Sequence, residues 1–188
     1  MTKITRLFDI PHYQLKTYPN DNMFVTKTNG KWEGVSTEHF LEDVMRVSKG
    51  LISLGVEQGD MIGIVSNTRY EWNVMDIAIQ QAGAIVVPFY PNISENDYRF
   101  IFNDAGIKLC VVSNEEIFTK ISHIKSDIPT LQHIFTMENV PGAQNWTEIS
   151  DQASSVDEAE VVARMSRVNY EDLATIIYTS GTTGNPKG

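Results

Sequence analysis

Residues 61–89 decide the fold of this chain, and they read MIGIVSNTRYEWNVMDIAIQQAGAIVVPF. The stretch opens with the apolar run 61–65 and closes with the apolar run 84–89, both typical of short buried strands. Between the two runs, apolar residues recur at helical spacing, namely Trp72, Met75, Ile79 and Ala82. The pattern predicts a strand, a helix over residues 68–82 and a second strand, which is the repeating unit of a parallel sheet.

The same alternation of strand and helix extends outward over residues 36–137. The further predicted elements are helices that begin at Ser36 and at Ser94, a helix over 115–125, and strands at 109–112 and 133–137. Short continuous apolar strands joined by helical crossovers indicate an α/β fold with a mostly parallel sheet and helices on both faces. We expect a small β-hairpin near the N-terminus, because Asn29-Gly30 separates two strand-like runs and suits a type I′ turn.

Two segments show no clear periodicity. Residues 1–21 contain two prolines and are predicted to form an irregular arm. Residues 139–170 are polar and are likewise predicted to be irregular. The run Asp157-Glu-Ala-Glu160 in this second segment is expected to be a solvated face.

The net charge argues against two classes of partner. The net charge of −9 argues against nucleic acid, because phosphate backbones are bound through a surplus of Lys and Arg. It also argues against an electrostatic anchor on anionic lipid. Cys110 lies in an apolar run and is expected in the core, and the four scattered histidines predict no metal cluster.

The apolar stretches are too short for a membrane anchor. The N-terminus lacks the apolar core of a signal peptide. The longest apolar stretch, 82–89, is far shorter than the roughly 20 residues that a membrane span needs. We therefore expect a cytoplasmic protein without a transmembrane segment, and peripheral contact with the inner face of a membrane stays open.

The chemistry is expected at the end of the chain. A predicted buried strand, 172–178, leads into the sequence TSGTTGNPKG at residues 179–188. Ligands of open α/β sheets bind beyond the carboxyl ends of the strands. Glycines let the backbone turn its N–H groups toward an anion, the Ser and Thr hydroxyls add donors, and Lys187 adds a positive charge. This composition favours the binding of a polyphosphate.

Two better-known phosphate motifs do not fit. The Walker A pattern requires Gly before Lys and then Ser or Thr, whereas Pro186 precedes Lys187 and Gly188 follows it. The dinucleotide pattern fails as well, since Gly181 and Gly184 have no matching third glycine. From composition alone, a flexible Ser/Thr/Gly linker remains an alternative.

The stretch Tyr178-Thr-Ser-Gly-Thr-Thr-Gly-Asn-Pro-Lys-Gly188 resembles the signature of the adenylate-forming superfamily, which includes acyl-CoA synthetases, luciferases and the adenylation domains of peptide synthetases. Upstream, Asn67-Thr-Arg-Tyr-Glu-Trp72 and Val87-Pro-Phe-Tyr-Pro91 are similar to the N-terminal region of long-chain fatty acyl-CoA synthetases. The resemblance covers most of the chain from about residue 22. It implies that 22–188 is a partial N-terminal AMP-binding domain, inactive alone. Trp72 and Tyr90 are expected to be core aromatics.

The resemblance also implies a reaction and its site. A fatty acid is activated with ATP to an acyl-adenylate and is then transferred to coenzyme A. The family's pattern assigns the β- and γ-phosphates to Thr179, Ser180, Gly181, Thr182, Thr183 and Gly184, makes Lys187 the catalytic cation, and makes Thr179 a ligand of Mg²⁺. The alternatives are a ligase for an aryl or amino acid, a stand-alone nucleotide-binding module, and a non-enzymatic interaction domain with a disordered tail. The oligomeric state is not predicted.

Overall fold

The computed structural model describes residues 4–179 and 186–188. The helices and strands in chain order are α1 (Asp9–Thr17), β1 (Phe24–Thr28), β2 (Lys31–Val35), α2 (Thr37–Ser53), β3 (Met61–Val65), α3 (Tyr70–Gln81), β4 (Ile85–Phe89), α4 (Glu95–Ala105), β5 (Ile107–Val112), α5 (Glu115–Ile124), β6 (His133–Thr136), β7 (Gln144–Asn145), α6 (Thr147–Asp151) and α7 (Glu158–Arg167). Short 3₁₀ helices span Lys125–Asp127 and Gln152–Ser155.

The predicted α/β architecture is confirmed. Five parallel strands form one sheet in the order β4-β3-β5-β6-β7, and β1 and β2 form a separate antiparallel hairpin. Helices α2 and α3 pack on one face of the sheet, and α4 and α5 pack on the other. Alternate strand residues serve the two faces: Leu109 and Val111 contact the first pair of helices, whereas Cys110 and Val112 contact the second. Strands β3, β4 and β5 are therefore almost wholly apolar, as the sequence indicated, and the exception, Lys108 near the start of β5, pairs with Asp60.

Local sequence signals place the ends of several elements. The Ser36 hydroxyl accepts the backbone N–H of His39 at 3.1 Å and begins α2. Ser94 and Asp97 form the capping box at the start of α4. Asn29 and Gly30 both have positive φ, 51° and 81°, as the predicted hairpin turn requires.

The predicted irregular arm is wrong in part, because residues 9–17 form α1. Pro11 lies in the first turn, where a missing N–H costs no intrahelical hydrogen bond. Asp9 accepts hydrogen bonds from the Arg6 guanidinium and the backbone N–H of Arg6. Phe8 is 1% exposed and anchors the segment just before the helix. The sequence pattern did not predict the helix, because its burial depends on the tertiary contacts of Phe8, which a sequence pattern does not indicate.

The predicted irregular segment 139–170 is also wrong, because it contains β7, α6, a 3₁₀ helix and α7. Arg164 on α7 donates to the carbonyl oxygen of Val56 at 2.6 Å and to that of Ala82 at 3.3 Å. Ala82 is the residue at the carboxyl end of α3, where carbonyl groups lack helical partners. The Arg164 side chain thus supplies hydrogen-bond donors to carbonyl groups near the ends of helices far away in the sequence. The polar composition of α7 does not indicate these contacts.

The two aromatic residues expected in the core behave differently. Trp72 is partly buried against the α2–α3 side of the core. Tyr90 is 77% exposed, so the prediction for it is wrong. Its position explains this: β4 ends at Phe89, and Tyr90 begins the turn that leads to Pro91 at the carboxyl edge of the sheet. None of the helices in the described part of the chain has both the length and the apolar character to cross a bilayer.

Candidate functional site

The segment that leads into the glycine-rich loop extends the sheet beyond β4. The backbone N–H of Val86 donates to the carbonyl oxygen of Ala174 at 3.1 Å, and that of Ile176 donates to the carbonyl oxygen of Val86 at 3.0 Å. The two segments run parallel to each other and are joined by one isolated bridge between Val86 and Thr175. This segment therefore enters the loop at the carboxyl edge of the sheet, where ligands bind in folds of this kind.

The predicted buried strand at 172–178 is wrong, because this segment forms one isolated bridge at Thr175 instead of a strand and is not buried throughout. Leu173 is 63% exposed and Ile177 is 58% exposed. Ile176 and Tyr178, which alternate with them, pack against the cluster formed by α4 and α5. The segment lies at the open edge of the sheet, and only one of its faces is covered in the described structure.

The ends of the loop are joined by the backbone. The N–H of Thr179 donates to the carbonyl oxygen of Lys187 at 2.9 Å, and the N–H of Lys187 donates to the carbonyl oxygen of Thr179 at 3.0 Å. These two residues form an antiparallel bridge, which we call the neck of the loop. Of the predicted phosphate-binding residues, the structure thus brings Thr179 and Lys187 together. The others, Ser180, Gly181, Thr182, Thr183 and Gly184, lie outside the described residues.

Tyr178 connects the neck to the body of the domain. Its hydroxyl donates to Oδ2 of Asp104 on α4 at 2.5 Å. Partial burial, together with this hydrogen bond to a carboxylate, raises the pKa of Tyr178 to about 12. A methyl group at Gly188 would lie 2.8 Å from Cε2 and Cζ of Tyr178, so the chain leaving the neck runs against the ring.

Sequence reasoning missed Asp104. It lies 74 residues from Tyr178 in the chain, and nothing in the composition of α4 marks it as part of this site. Only the packing of α4 beside the segment 176–178 brings the carboxylate to the neck.

Polar residues follow the central strands at their carboxyl edge. Val65 pairs with both Phe89 and Val112, so the following residues, Ser66 and Ser113, come at the same edge of the sheet. The hydroxyl of Ser66 donates to the carbonyl oxygen of Asn67 at 2.8 Å. The hydroxyl of Ser113 is buried and has no hydrogen-bond partner among the described residues.

The arginine at this edge is already paired. Arg69, which precedes α3, bonds Glu71 at 2.8 Å and Glu138 at 3.2 Å. Burial alone would raise the pKa of Glu71. The hydrogen bonds with Arg69, a backbone hydrogen bond and the positive charge of Arg69 together outweigh burial and hold that pKa below its usual value. Because its charge is matched by two carboxylates, Arg69 serves to fix the start of α3 rather than to attract an anion.

One cleft with a largely apolar lining lies away from the loop. A cleft of about 470 Å³ opens at the amino end of the sheet, between the segment before α1 and residues 168–174. Its cationic side chain, Arg6, bonds Asp9 and the carbonyl oxygens of Met165 and Val168. Apolar side chains supply much of the remaining lining, which is typical of a packing seam rather than of a polyphosphate site.

Metal ligands are sparse in the described part of the chain. Residues 4–179 and 186–188 contain no group of three or more His, Cys, Asp or Glu side chains placed to hold a metal ion. Thr179 offers a hydroxyl at an exposed position. One hydroxyl fits Mg²⁺ only when the ion takes most of its ligands from substrate phosphates and water.

A parallel α/β sheet with a backbone-closed glycine- and threonine-rich loop at its carboxyl edge defines a class of proteins that bind phosphate-bearing ligands. Within that class, the chain belongs to the family of AMP-binding enzymes, whose model matches residues 12–188. The match takes in the whole parallel sheet and the entire loop, including residues 180–185.

Curated relatives give the family more detail. The chain is 34% identical over 160 residues to the long-chain-fatty-acid–CoA ligase FadD15 of Mycobacterium bovis, which covers 85% of this chain and 26% of that protein. It is 28% identical over 168 residues to the long-chain-fatty-acid–CoA ligase heimdall of Drosophila melanogaster, with 85% of this chain and 25% of that protein covered. The chain thus spans about a quarter of the length of these relatives.

Solved structures agree on the fold. The anthranilate CoA ligase AuaEII, solved in complex with anthranoyl-AMP, matches 95% of this chain and 32% of its own with a TM-score of 0.75 at 23% identity. At that level of identity the likeness supports the architecture and not the substrate.

Proposed function

We propose that this chain supplies the N-terminal part, including the phosphate-binding loop, of an ATP-dependent long-chain fatty acid–CoA ligase. The observation that carries the proposal is the family signature at residues 178–188, in which Thr179 and Lys187 pair through their backbones. The relatives at 34% and 28% identity, both long-chain-fatty-acid–CoA ligases, support the choice of a fatty acid as substrate.

The proposed reaction has two steps. A fatty carboxylate oxygen forms a bond to the α-phosphorus of ATP while the bond from that phosphorus to the bridging oxygen breaks, which releases pyrophosphate and leaves an acyl-adenylate. The sulfur of coenzyme A, having given up its proton, then bonds the acyl carbon and AMP departs. A carboxylate is already ionised at neutral pH, so the first step needs no base from this part of the protein.

The contribution of this chain is to bind the phosphates that leave. Negative charge develops on pyrophosphate in the first step, and fixed donors aimed at that charge lower the barrier. In the proposal, residues 179–184 supply the backbone and hydroxyl donors and Lys187 supplies the ammonium group. Lys187 is exposed and sits directly across the neck from Thr179, so its side chain starts at the mouth of the loop.

Magnesium enters this proposal as part of the substrate, Mg–ATP. The Thr179 hydroxyl is then one oxygen ligand among several from phosphate and water. The ion shields the phosphate charge, and the residues of this chain orient the phosphates within the loop.

The test is ATP–pyrophosphate exchange by the full-length ligase with palmitate. Lys187→Ala should slow exchange by roughly 100-fold, because one charged donor lost from a site of developing charge costs about that much. Lys31→Ala, which removes an exposed lysine from the β-hairpin, is the matched control and should exchange at the wild-type rate. Exchange by the Lys187 variant at the wild-type rate would remove this residue from the mechanism.

The same assay tests the substrate class. Exchange that depends on benzoate or an amino acid, and not on palmitate, would place the enzyme among the aryl- or amino-acid-activating relatives. Absence of exchange with every acid, combined with tight binding of ATP, would instead favour a nucleotide-binding module.

A further inference from the structure

We propose that Tyr178 and Asp104 form a clamp that fixes the neck of the phosphate-binding loop to helix α4, which makes Tyr178 a positioning residue for the nucleotide. The inference rests on the proposed function, since the loop matters only if it binds phosphates. It assigns a task to two side chains outside the loop itself.

The first part of the clamp is the hydrogen bond from the Tyr178 hydroxyl to Asp104 at 2.5 Å. The acceptor is a carboxylate, and hydrogen bonds to ionised groups are shorter and stronger than neutral ones. Asp104 lies in the last turn of α4, next to its final residue Ala105. The bond therefore joins the residue before the neck to the end of a helix.

The second part is the contact of the Tyr178 ring with the backbone at Gly188. The chain that leaves the neck runs so close to the ring that a side chain at position 188 would collide with Cε2 and Cζ. Glycine is the residue that permits this approach. The Tyr178 ring thus lies against the residue that follows the neck, and its hydroxyl bonds α4, while its own backbone leads into the neck.

The third part is the rigidity of α4. A capping box fixes the start of the helix, and Tyr98, Ile101 and Phe102 bury its inner face in the core. Apart from the clamp, the described contacts that hold the neck are the backbone bridge between Thr179 and Lys187, the bridge at Val86 and the packing of Ile176. The segment lies at an open edge of the sheet, where backbone hydrogen bonds open to water readily. The clamp gives the neck an anchor in the folded core.

Loss of the hydroxyl should loosen the neck without unfolding the domain. Tyr178→Phe keeps the ring beside Gly188 and removes only the hydrogen bond to Asp104. Because the bond is partly exposed, we expect the opening of the neck to increase roughly three- to tenfold, the range for a single hydrogen bond of modest net strength. Asp104→Ala should have the same effect, and the double variant should be no more open than either single variant.

The direct measurement is amide hydrogen exchange by NMR on this chain at Thr179 and Lys187, with Ile64 in β3 as an internal reference. Both neck amides should exchange three- to tenfold faster in Tyr178→Phe, and Ile64 should be unchanged. Tyr170→Phe, made at a tyrosine that is 73% exposed, is the matched control and should leave the neck amides unaffected. Wild-type exchange at the neck in Tyr178→Phe, or additive effects in the double variant, would overturn the clamp.

The functional measurement separates this inference from the proposed function. In the full-length ligase, Tyr178→Phe should raise KM for ATP roughly three- to tenfold and change kcat less, because a loosened loop first costs binding. A drop in kcat at constant KM would contradict a positioning role. If the wild-type enzyme shows no ATP-dependent exchange, the proposed function fails, while amide exchange still decides whether the clamp holds the neck.

Discussion

Gly50 provides the sharpest test of how this domain is packed. It is a buried residue within α2, and helix propensity alone predicts that alanine would stabilise the helix by about 1 kcal/mol. The structure predicts the opposite. A Cβ at position 50 would lie 1.8 Å from the carbonyl oxygen of Ile149 and 2.6 Å from its carbonyl carbon. Both atoms belong to the backbone of α6, so no side-chain rotation relieves the collision.

The expected magnitude follows from what must move. Overpacking of a well-filled core costs about 1–3 kcal/mol, and a backbone collision falls at the upper end of that range. Displacement of α6 would also expose part of Ile149, which is 0% exposed and whose full burial contributes about 1.5–3 kcal/mol. After the gain in helix propensity, Gly50→Ala should lower the free energy of unfolding by about 3 kcal/mol, or Tm by roughly 6–12 °C for a chain of this size.

Urea unfolding followed by circular dichroism measures this change. Gly34→Ala is the matched control: its Cβ would meet the Asn22 side-chain oxygen at 1.9 Å, but that side chain is exposed and free to rotate. The control should differ from wild type by no more than about 0.5 kcal/mol. A Gly50→Ala variant as stable as wild type, or more stable, would refute the packing of α6 on α2.

Three further predictions concern stability and reactivity. Ser94→Ala should lower the free energy of unfolding by about 1 kcal/mol, because it removes the cap that Asp97 completes, and urea denaturation measures the loss. The pKa of Glu71 is lowered in the folded state, so the stability that it contributes is present above its unfolded pKa near 4.5 and is lost as the pH falls through the lowered value. Arg69→Ala should therefore destabilise the chain at pH 7 and progressively less as the pH is lowered below about 4.5, as parallel urea titrations would show. Burial raises the pKa of the Cys110 thiol far above its usual value, so this thiol should resist a thiol-reactive disulfide reagent at pH 8 in the folded chain and react once the chain is unfolded. Rapid labelling of the native chain would contradict the placement of Cys110 in the core.

Some features of this chain are encoded within a few neighbouring residues. The capping box at Ser94 and the turn at Asn29-Gly30 are local arrangements of hydrogen bonds and dihedral angles, so sequence alone located them. The alternation of apolar runs with helical periodicity had the same local character and predicted the parallel sheet with helices on both faces.

Features that depend on distant partners were not predictable in this way. Helix α7 is polar, and much of its anchoring comes from Arg164, which reaches carbonyl groups at the ends of other elements. Helix α1 depends on the buried Phe8 beside it. Leu173 and Ile177 are exposed because their segment lies at the edge of the sheet. An apolar run in the sequence does not distinguish an edge segment from a central strand.

The candidate site divides along the same line. The sequence by itself determined the chemical character of the loop, because its glycines, hydroxyls and lysine supply the same donors and charge in any conformation of the chain. Only the tertiary structure decided that Thr179 and Lys187 close the loop at its neck and that Asp104, 74 residues away from Tyr178, holds that neck. The physical reason is that composition fixes which groups are available, whereas the packing of α4 and β4 against the segment 174–178 fixes where those groups meet.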